Sequence, residues 1–367
     1  MVEAHSYMAA RSLVKDHRGL RLGLLALVAL ATACADAPAR AEQQVEMTVK
    51  VVPPPASGVF RDTALVYLDG VIDAGAPDRL ARALEGIDGR TAVWLNSSGG
   101  NLFAGMQLGR IIRKRDASTY IINYRTLLPG VCYSACSLAF LGGVYRFNDN
   151  GARYGVHRAS LSGSPKGSEH DLGADLSTAI TIYLREMGVD ARLLDLWAKA
   201  GSDEMYVLSA KQAGDLGVVN NGRQPPRWSI GAFPGGSLLQ GRQTTADGSA
   251  MVFFSCDEKQ TTFGSVYDAP DRDAPVTRGW SHRLAIDGDE ETPLDALAVT
   301  SKDGVIRSTF ILAPALVRRA MSAKRIGHRM TPAAGPSPSI GGSVDIDEKS
   351  APMVRQFLGA CVGGRAK

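Results

Sequence analysis

The chain lacks an apolar run long enough to cross a membrane as a helix. Its apolar stretch near the N-terminus, residues 22–33, has twelve residues, whereas a spanning helix needs about 20. An excess of charge of one sign is also missing, because 41 Lys and Arg against 37 Asp and Glu leave a formal net charge of +4. Nucleic acids and other polyanions require dense positive surfaces. We therefore expect neither a membrane-spanning helix nor a nucleic-acid partner.

Cysteine and histidine are scarce, with five and six copies respectively. A zinc site typically combines several of these residues in closely spaced pairs. The pair Cys132 and Cys136 has no second cysteine pair and no histidine cluster to complete such a site. We expect no metal and no cofactor.

The first 41 residues have the features of a secretory signal. A basic stretch over residues 11–21 precedes the apolar run, and small residues follow it as far as Ala41. Removing residues 1–41 deletes five Lys or Arg and three Asp or Glu, which lowers the net charge from +4 to +2. The alternative is a loose lipoprotein cleavage site before Cys34. We expect a periplasmic or secreted protein, attached to a membrane only if Cys34 is lipidated.

The four remaining cysteines form an even set in a chain that we expect to be exported, which favours disulfides. The spacings suggest one bond between Cys132 and Cys136 and a second between Cys256 and Cys361.

Composition divides the rest of the chain into four parts. Residues 42–63 are a proline-containing lead-in segment, and residues 64–221 alternate strands, glycine turns and helices in the order typical of an α/β architecture. Residues 222–250 are rich in Gly, Pro, Ser and Gln, which indicates a linker. Residues 251–367 contain short apolar strands and two helical stretches, and we expect a small β-rich or α+β domain there. Its function is not visible in the sequence.

Three features in residues 64–221 have the chemistry of nucleophilic catalysis. Gly99 and Gly100 form a turn after a strand, Ser134 opens a short apolar helix after a second glycine-bearing turn, and His157 ends a short strand. Each has a common structural explanation: a tight turn, a helix N-cap and a structural histidine. Together they are the parts that a serine nucleophile requires, namely a base and oxyanion donors.

Several segments in this order resemble the Clp protease proteolytic subunit, ClpP, and in particular periplasmic ClpP-like proteins. The resemblance covers about residues 64–220 and implies the stacked ββα units of the ClpP/crotonase fold. The matching segments are Leu68-Asp-Gly70, Leu95-Asn-Ser-Ser-Gly-Gly100, Ala104-Gly-Met106, Tyr133-Ser-Ala-Cys136, Phe140-Leu-Gly-Gly143, Val156-His157, Leu208-Ser-Ala210 and Gly217-Val-Val219.

The resemblance implies a serine peptidase with Ser134 as nucleophile and His157 as general base. It also implies that the backbone N–H groups of Gly100 and Ala135 form an oxyanion hole. A peptide or unfolded protein would be the substrate. Residues 172–199 lie where ClpP-like proteins build subunit contacts, so a homo-oligomer is compatible with the resemblance.

The third triad residue departs from the family pattern. The position at which ClpP has its aspartate is Met205 here. Asp203 is the replacement that we favour, and the alternatives are Glu204, Asp171 and Asp175. The departure also motivates a second hypothesis, a non-catalytic relative that serves as a binding or assembly module.

Three further readings are less favoured. An acyl-CoA enzyme of the crotonase type does not suit an exported protein. A Ser/Lys dyad lacks a lysine at the position of His157. A reduced Cys132 or Cys136 paired with His157 would be a thiol nucleophile.

Overall fold

The structure is a computed structural model of the whole chain. Strands and helices alternate in its first half. The structure describes residues 45–55, 60–148, 151–158, 169–201, 204–233, 236–257, 260–268, 280–288, 290–332 and 339–363. They lie in one compact unit, Gln44–Lys367. The predicted signal with Cys34 and the candidate residue Asp203 lie outside the described residues.

The described residues of the first half form nine strands and six helices. The strands are β1 (Thr48–Val52), β2 (Thr63–Asp69), β3 (Arg90–Asn96), β4 (Ser118–Asn123), β5 (Leu128–Pro129), β6 (Val131–Tyr133), β7 (Tyr145–Phe147), β8 (Arg153–Val156) and β9 (Tyr206–Val207). The helices are α1 (Ala76–Leu84), α2 (Leu102–Lys114), α3 (Ala135–Leu141), α4 (Glu169–Glu186), α5 (Leu193–Trp197) and α6 (Ala210–Asp215).

Two sheets organise this half. Strands β2, β3, β4 and β7 run parallel, with β1 and β5 added in antiparallel orientation at β2 and β4. A smaller sheet has the order β6-β8-β9. Strand β2 is buried at five consecutive positions, as expected for a parallel strand that is covered on both faces. The helices α2 and α3 cross closely, because a Cβ on Gly105 would lie 2.4 Å from the Ala135 carbonyl oxygen.

The second half is β-rich. Its strands are β10 (Arg227–Phe233), β11 (Gly236–Thr245), β12 (Gly248–Cys256), β13 (Thr261–Asp268), β14 (Trp280–Ile286), β15 (Glu290–Leu294), β16 (Ala296–Lys302), β17 (Val305–Leu312), β18 (Arg325–Pro332) and β19 (Ile340–Asp345). Its helices are α7 (Pro314–Ala320) and α8 (Ala351–Gly363). The sheet orders are β10-β11-β12-β13-β17-β16 and β15-β14-β18-β19.

The linker predicted for residues 222–250 is wrong over most of its length, because β10, β11 and the start of β12 form there. In β11, alternate residues Leu239, Gly241 and Gln243 are buried. That period of two is typical of a half-buried strand, and the Gly, Ser and Gln content conceals it from a compositional analysis. The chain is therefore paired in a sheet where a loose connection was expected.

Residues of this paired segment also contact strand β7 of the first half. The Tyr145 hydroxyl donates to the Thr245 carbonyl (3.0 Å), and the Gln224 side chain donates to the Val144 carbonyl (2.6 Å). A Cβ on Gly222 would lie 2.8 Å from the Phe147 ring. The chain is thus hydrogen-bonded across this junction.

The described apolar residues form two main cores, one in each half. The first lies between the parallel sheet and its helices, and the second between the two later sheets with α7 and α8. The architecture is mixed α/β with several sheets. Within the described ranges no helix combines the length and hydropathy needed to cross a bilayer.

Candidate active site

Ser134 connects β6 to α3 in a backbone conformation that is unusual for a serine. Its φ is 54° and its ψ is −124°. A non-glycine residue in such a sparsely populated backbone conformation raises the conformational free energy by on the order of 1–3 kcal/mol. Its N–H donates to the Gly155 carbonyl (3.1 Å), and its carbonyl accepts from the Ser137 hydroxyl (2.6 Å). Its own side chain makes no capping hydrogen bond. The ordinary explanation of Ser134 as a helix N-cap therefore does not apply.

The Gly99-Gly100 turn lies directly against Ser134. A Cβ on Gly99 would be 2.6 Å from the Ser134 Cβ, and one on Gly100 would be 2.2 Å from the Ile72 carbonyl oxygen. Both glycines also have positive φ, 111° and 133°. Ile72 holds the turn by donating to the Gly99 carbonyl and accepting from the Asn101 N–H, each at 2.7 Å. Only glycine fits at these two positions.

The two predicted oxyanion donors have N–H groups without acceptors in the described part of the chain. Ala135 is the first residue of α3, where a backbone N–H has no intrahelical acceptor. Gly100 is exposed, and its N–H makes no hydrogen bond to another described residue. Available N–H groups beside a nucleophile are suited to bind a developing oxyanion.

His157 follows β8, which pairs in parallel with β6. The register places Tyr133 beside Gly155. Ser134 and His157 therefore leave neighbouring strands at the same edge of the small sheet. Both residues are partly exposed. No hydrogen bond joins their side chains directly.

The orienting carboxylate of a triad is absent from the described surroundings of His157. Its Nδ1 atom is buried and makes no hydrogen bond to any described residue. The register of β8 with β9, continued by one residue, places Met205 opposite His157. Glu204 and Asp175 are exposed and do not reach this nitrogen. The helix containing Asp171 is described, but the side chain of that residue is not.

The predicted disulfide pairings are confirmed. Cys132 in β6 bonds to Cys136 in α3 with a Cα–Cα distance of 5.1 Å, and Cys256 in β12 bonds to Cys361 in α8 at 5.5 Å. The first bond joins residues two before and two after Ser134. Because both of its sulfurs are consumed, no thiol is left there to pair with His157.

Two arginines hold the other end of α3. Arg113 donates to the carbonyls of Leu141 and Gly142, each at 2.9 Å, and Arg146 donates to that of Gly143 at 2.8 Å. These are carbonyls that a helix C-terminus leaves without intrahelical donors. Burial, followed by the nearby Arg113 charge, lowers the pKa of Arg146 to about 10. Arg146 therefore remains cationic at neutral pH and anchors the helix that begins after Ser134.

A cavity of about 370 Å³ lies beside the glycine turn, at the carboxyl ends of β2 and β3. Asp69 in its wall accepts from the side chains of Asn96 (2.8 Å) and Arg125 (3.0 Å). Ser97 and Ser98 connect this wall to Gly99. Neither Ser134 nor His157 lines the cavity, so it flanks the candidate site without containing it.

Sequence reasoning missed a second serine–histidine arrangement, in the C-terminal core. His328 Nδ1 lies 2.8 Å from the Ser265 hydroxyl, and His328 Nε2 lies 3.1 Å from His282 Nδ1. Ser265 and His328 are buried, with 5% and 3% of their surfaces exposed. Burial, followed by the nearby His282, lowers the pKa of His328 to about 3. The three residues belong to different strands, and no local sequence pattern indicates their contact.

Comparison with known proteins adds little to this geometry. No family model and no curated protein matches the chain. A solved structure titled "1510-N membrane-bound stomatin-specific protease S97A mutant" is similar over 42% of this chain and 75% of that one, with 19% sequence identity and a TM-score of 0.34. That degree of likeness is too low to transfer a fold or an activity, and the case for a site depends on the residues described above.

Proposed function

We propose that this chain is an exported ClpP-like serine hydrolase, a peptidase that cleaves peptides or unfolded protein. Ser134 is the nucleophile, His157 is the general base, and the N–H groups of Gly100 and Ala135 bind the oxyanion. Asp203 is the candidate for orienting His157, because Glu204 and Asp175 do not reach its Nδ1 atom. No resident cofactor takes part in this chemistry.

The backbone of Ser134 is the observation that carries the proposal. Ser134 has a positive φ between a strand and a helix, lies against a double-glycine turn, and makes no capping hydrogen bond with its hydroxyl. Such strain persists only where the surroundings enforce it, and it is concentrated at functional sites. The N-terminus of α3 lies beside the serine and favours negative charge. An acyl-transfer reaction develops negative charge at this place, on the carbonyl oxygen of the substrate.

The test is covalent labelling with a fluorophosphonate, which reacts with activated serines. The full-length chain, expressed for export and purified, is treated with the probe beside the variants Ser134→Ala and Ser265→Ala. We expect Ser134→Ala to lose labelling by on the order of 10³-fold or more, because it removes the nucleophile. Ser265→Ala should label like the wild type. Equal labelling of wild type and Ser134→Ala, or no labelling of either, refutes the proposal.

The second candidate function is a non-catalytic binding or assembly module. The unpartnered Nδ1 of His157 and the apolar Met205 opposite it favour this alternative. A histidine without an orienting carboxylate is not held in the tautomer that accepts the serine proton. Under this alternative, the wild-type chain would bind unfolded peptides with the same affinity as Ser134→Ala and would label no faster.

Export, substrate class and assembly are part of the proposal. The signal-like N-terminus and the two disulfides support an oxidising compartment, the periplasm or the exterior. Outside the cytoplasm no ATP-driven unfoldase is expected, so the substrates would be short or already unfolded. Assembly through residues 172–199 would be tested by measuring the mass of the purified chain in solution.

A further inference from the structure

The Cys132–Cys136 disulfide closes a five-residue segment whose central residue is Ser134. Both cysteines are fully buried, one at the middle of the short strand β6 and one in the first turn of α3. A bond between residues two before and two after a candidate nucleophile constrains the turn on both sides at once. Most contacts that hold Ser134 come from other elements, and this one comes from its own segment.

The constraint matters because the turn does not have a relaxed backbone. A serine at φ 54° would lower its conformational energy by returning to an ordinary backbone conformation. The hydrogen bonds to Gly155 and Ser137 and the contact with Gly99 resist that change. Each hydrogen bond of this kind makes a net contribution of only about 1 kcal/mol to stability. A covalent link adds a restraint that cannot be exchanged for water.

We propose that the Cys132–Cys136 disulfide is a positioning pair for Ser134, so that hydrolase activity depends on the oxidation state of these two cysteines. The inference rests on the proposed function of Ser134. In the inactivating step a dithiol transfers two electrons and two protons to the bond. The S–S bond breaks, two cysteine thiols form, and the dithiol becomes a cyclic disulfide. Reoxidation by a disulfide of a small thiol reverses the exchange.

The second disulfide supplies a matched control. Cys256 and Cys361 join β12 to α8 in the C-terminal core, which does not contain Ser134 or His157. The full-length wild type is compared with three variants. These are the double variant Cys132→Ala/Cys136→Ala, the double variant Cys256→Ala/Cys361→Ala, and Ser134→Ala. Each is measured for the maximal rate of fluorophosphonate labelling and for the probe concentration that gives half of that rate. Circular dichroism reports whether each variant is folded.

We expect the Cys132/Cys136 variant to lose on the order of 10²-fold in maximal rate, because a displacement of about 1 Å at a reacting atom has that effect. The half-saturating concentration should stay within about threefold, since the glycine turn and flanking cavity are unchanged. The Cys256/Cys361 variant should keep the wild-type rate. Hydrogen exchange should quicken in residues 131–141 of the first variant alone. Equal rates in the wild type and the Cys132/Cys136 variant overturn the proposal.

A folding failure of the first variant leaves a direct alternative. The folded wild type is reduced with dithiothreitol, labelled and alkylated, and each cysteine is assigned by mass spectrometry. Labelling that falls in step with alkylation of Cys132 and Cys136, and returns on reoxidation, supports the proposal. Undiminished labelling with both residues alkylated overturns it.

The two proposals fail in different ways. A wild-type chain that never labels refutes the hydrolase, and hydrogen exchange in residues 131–141 then decides whether the disulfide holds the turn. Exchange that is unchanged by removing Cys132 and Cys136 refutes the positioning role whatever the labelling shows.

Discussion

Each half of the molecule places a serine near histidine, and the two arrangements differ in an instructive way. In the C-terminal half, Ser265, His328 and His282 form a continuous hydrogen-bonded chain, but the serine is buried between two sheets. In the first half, Ser134 and His157 are partly exposed and lie at the ends of neighbouring strands, yet no hydrogen bond joins their side chains, and His157 Nδ1 has no partner among the described residues.

The difference shows which features indicate chemistry. Buried polar side chains need hydrogen-bond partners, and the Ser–His–His chain provides them. Its hydrogen bonds therefore have a purely structural explanation. A partly exposed, strained serine beside available N–H groups has no such structural explanation. Accessibility, backbone strain and oxyanion donors therefore distinguish a candidate active site better than the length of a hydrogen-bond chain does.

The largest expected effect comes from completing the first arrangement. Met205→Asp places a carboxylate at the register position opposite His157, and we expect it to accept a hydrogen bond from His157 Nδ1–H. Replacing the triad carboxylate of a serine protease by an amide lowers turnover by about 10⁴. We therefore expect Met205→Asp to label 10²- to 10⁴-fold faster than the wild type, roughly the reverse of that loss.

Met205→Asn is the matched control, because it has the same shape and no charge. It should label at about the wild-type rate. Equal labelling of the Asp and Asn variants would mean that His157 is not limited by its missing partner, or that another carboxylate such as Asp203 already serves it.

The next effect concerns acid and the second arrangement. His328 has a pKa of about 3 in the folded chain, against about 6.5 when unfolded. Below pH 6.5 the unfolded state binds more protons, so stability is present above that pH and is lost as the pH falls towards 3. The loss is at most about 5 kcal/mol in the free energy of unfolding.

Denaturant titrations between pH 8 and pH 3 measure this dependence. His328→Phe removes the titrating group at similar volume, and the slope between pH 6.5 and pH 3 should flatten in that variant. An unchanged slope would assign the acid sensitivity to other groups.

The smallest effect separates the two disulfides by stability. The Cys256–Cys361 bond spans 105 residues and the Cys132–Cys136 bond spans four. Loop-closure entropy predicts a stabilisation of about 4.7 kcal/mol for the long loop and about 2 kcal/mol for the short one. Denaturant unfolding of the two double-alanine variants should show this order. The reverse order would indicate that the short bond stabilises the native state by a local enthalpic contribution.

Local patterns predicted the first half of the fold well. The alternation of strands, glycine turns and helices predicted for residues 64–221 is present from β2 to α6, because the apolar spacing of each element is decided within a few residues. The C-terminal half was harder. Strand β13 contains Gly264, Ser265 and Asp268 and pairs with β17, so that Thr261 lies beside Leu312. Pairing between residues so far apart leaves no trace in a short window of sequence.

The candidate site divides in the same way. Ser134, His157 and the glycine turn were singled out by residue type and order, and the structure places the turn against Ser134 and His157 on the strand beside it. Their catalytic roles remain predictions. The positive φ of Ser134 could not be inferred, because it arises from contacts with Gly99, Gly155 and Ser137 in three other parts of the chain. The contact between Ser265 and His328 spans 63 residues and was invisible for the same reason.

Hydrogen bonds join Gln224 and Thr245 to Val144 and to strand β7. They have a consequence for truncation of the gene. A premature stop after residue 221 would delete Thr245, which accepts from the Tyr145 hydroxyl, and Gln224, one of the two donors to the Val144 carbonyl; the other donor, Asn220, would remain. The Phe147 ring would lose the backbone of Gly222 as a neighbour. The shortened product would present new polar and aromatic surface on the half that contains Ser134. The outer edge of the first half, at strand β7, is therefore completed by residues that belong to the second half.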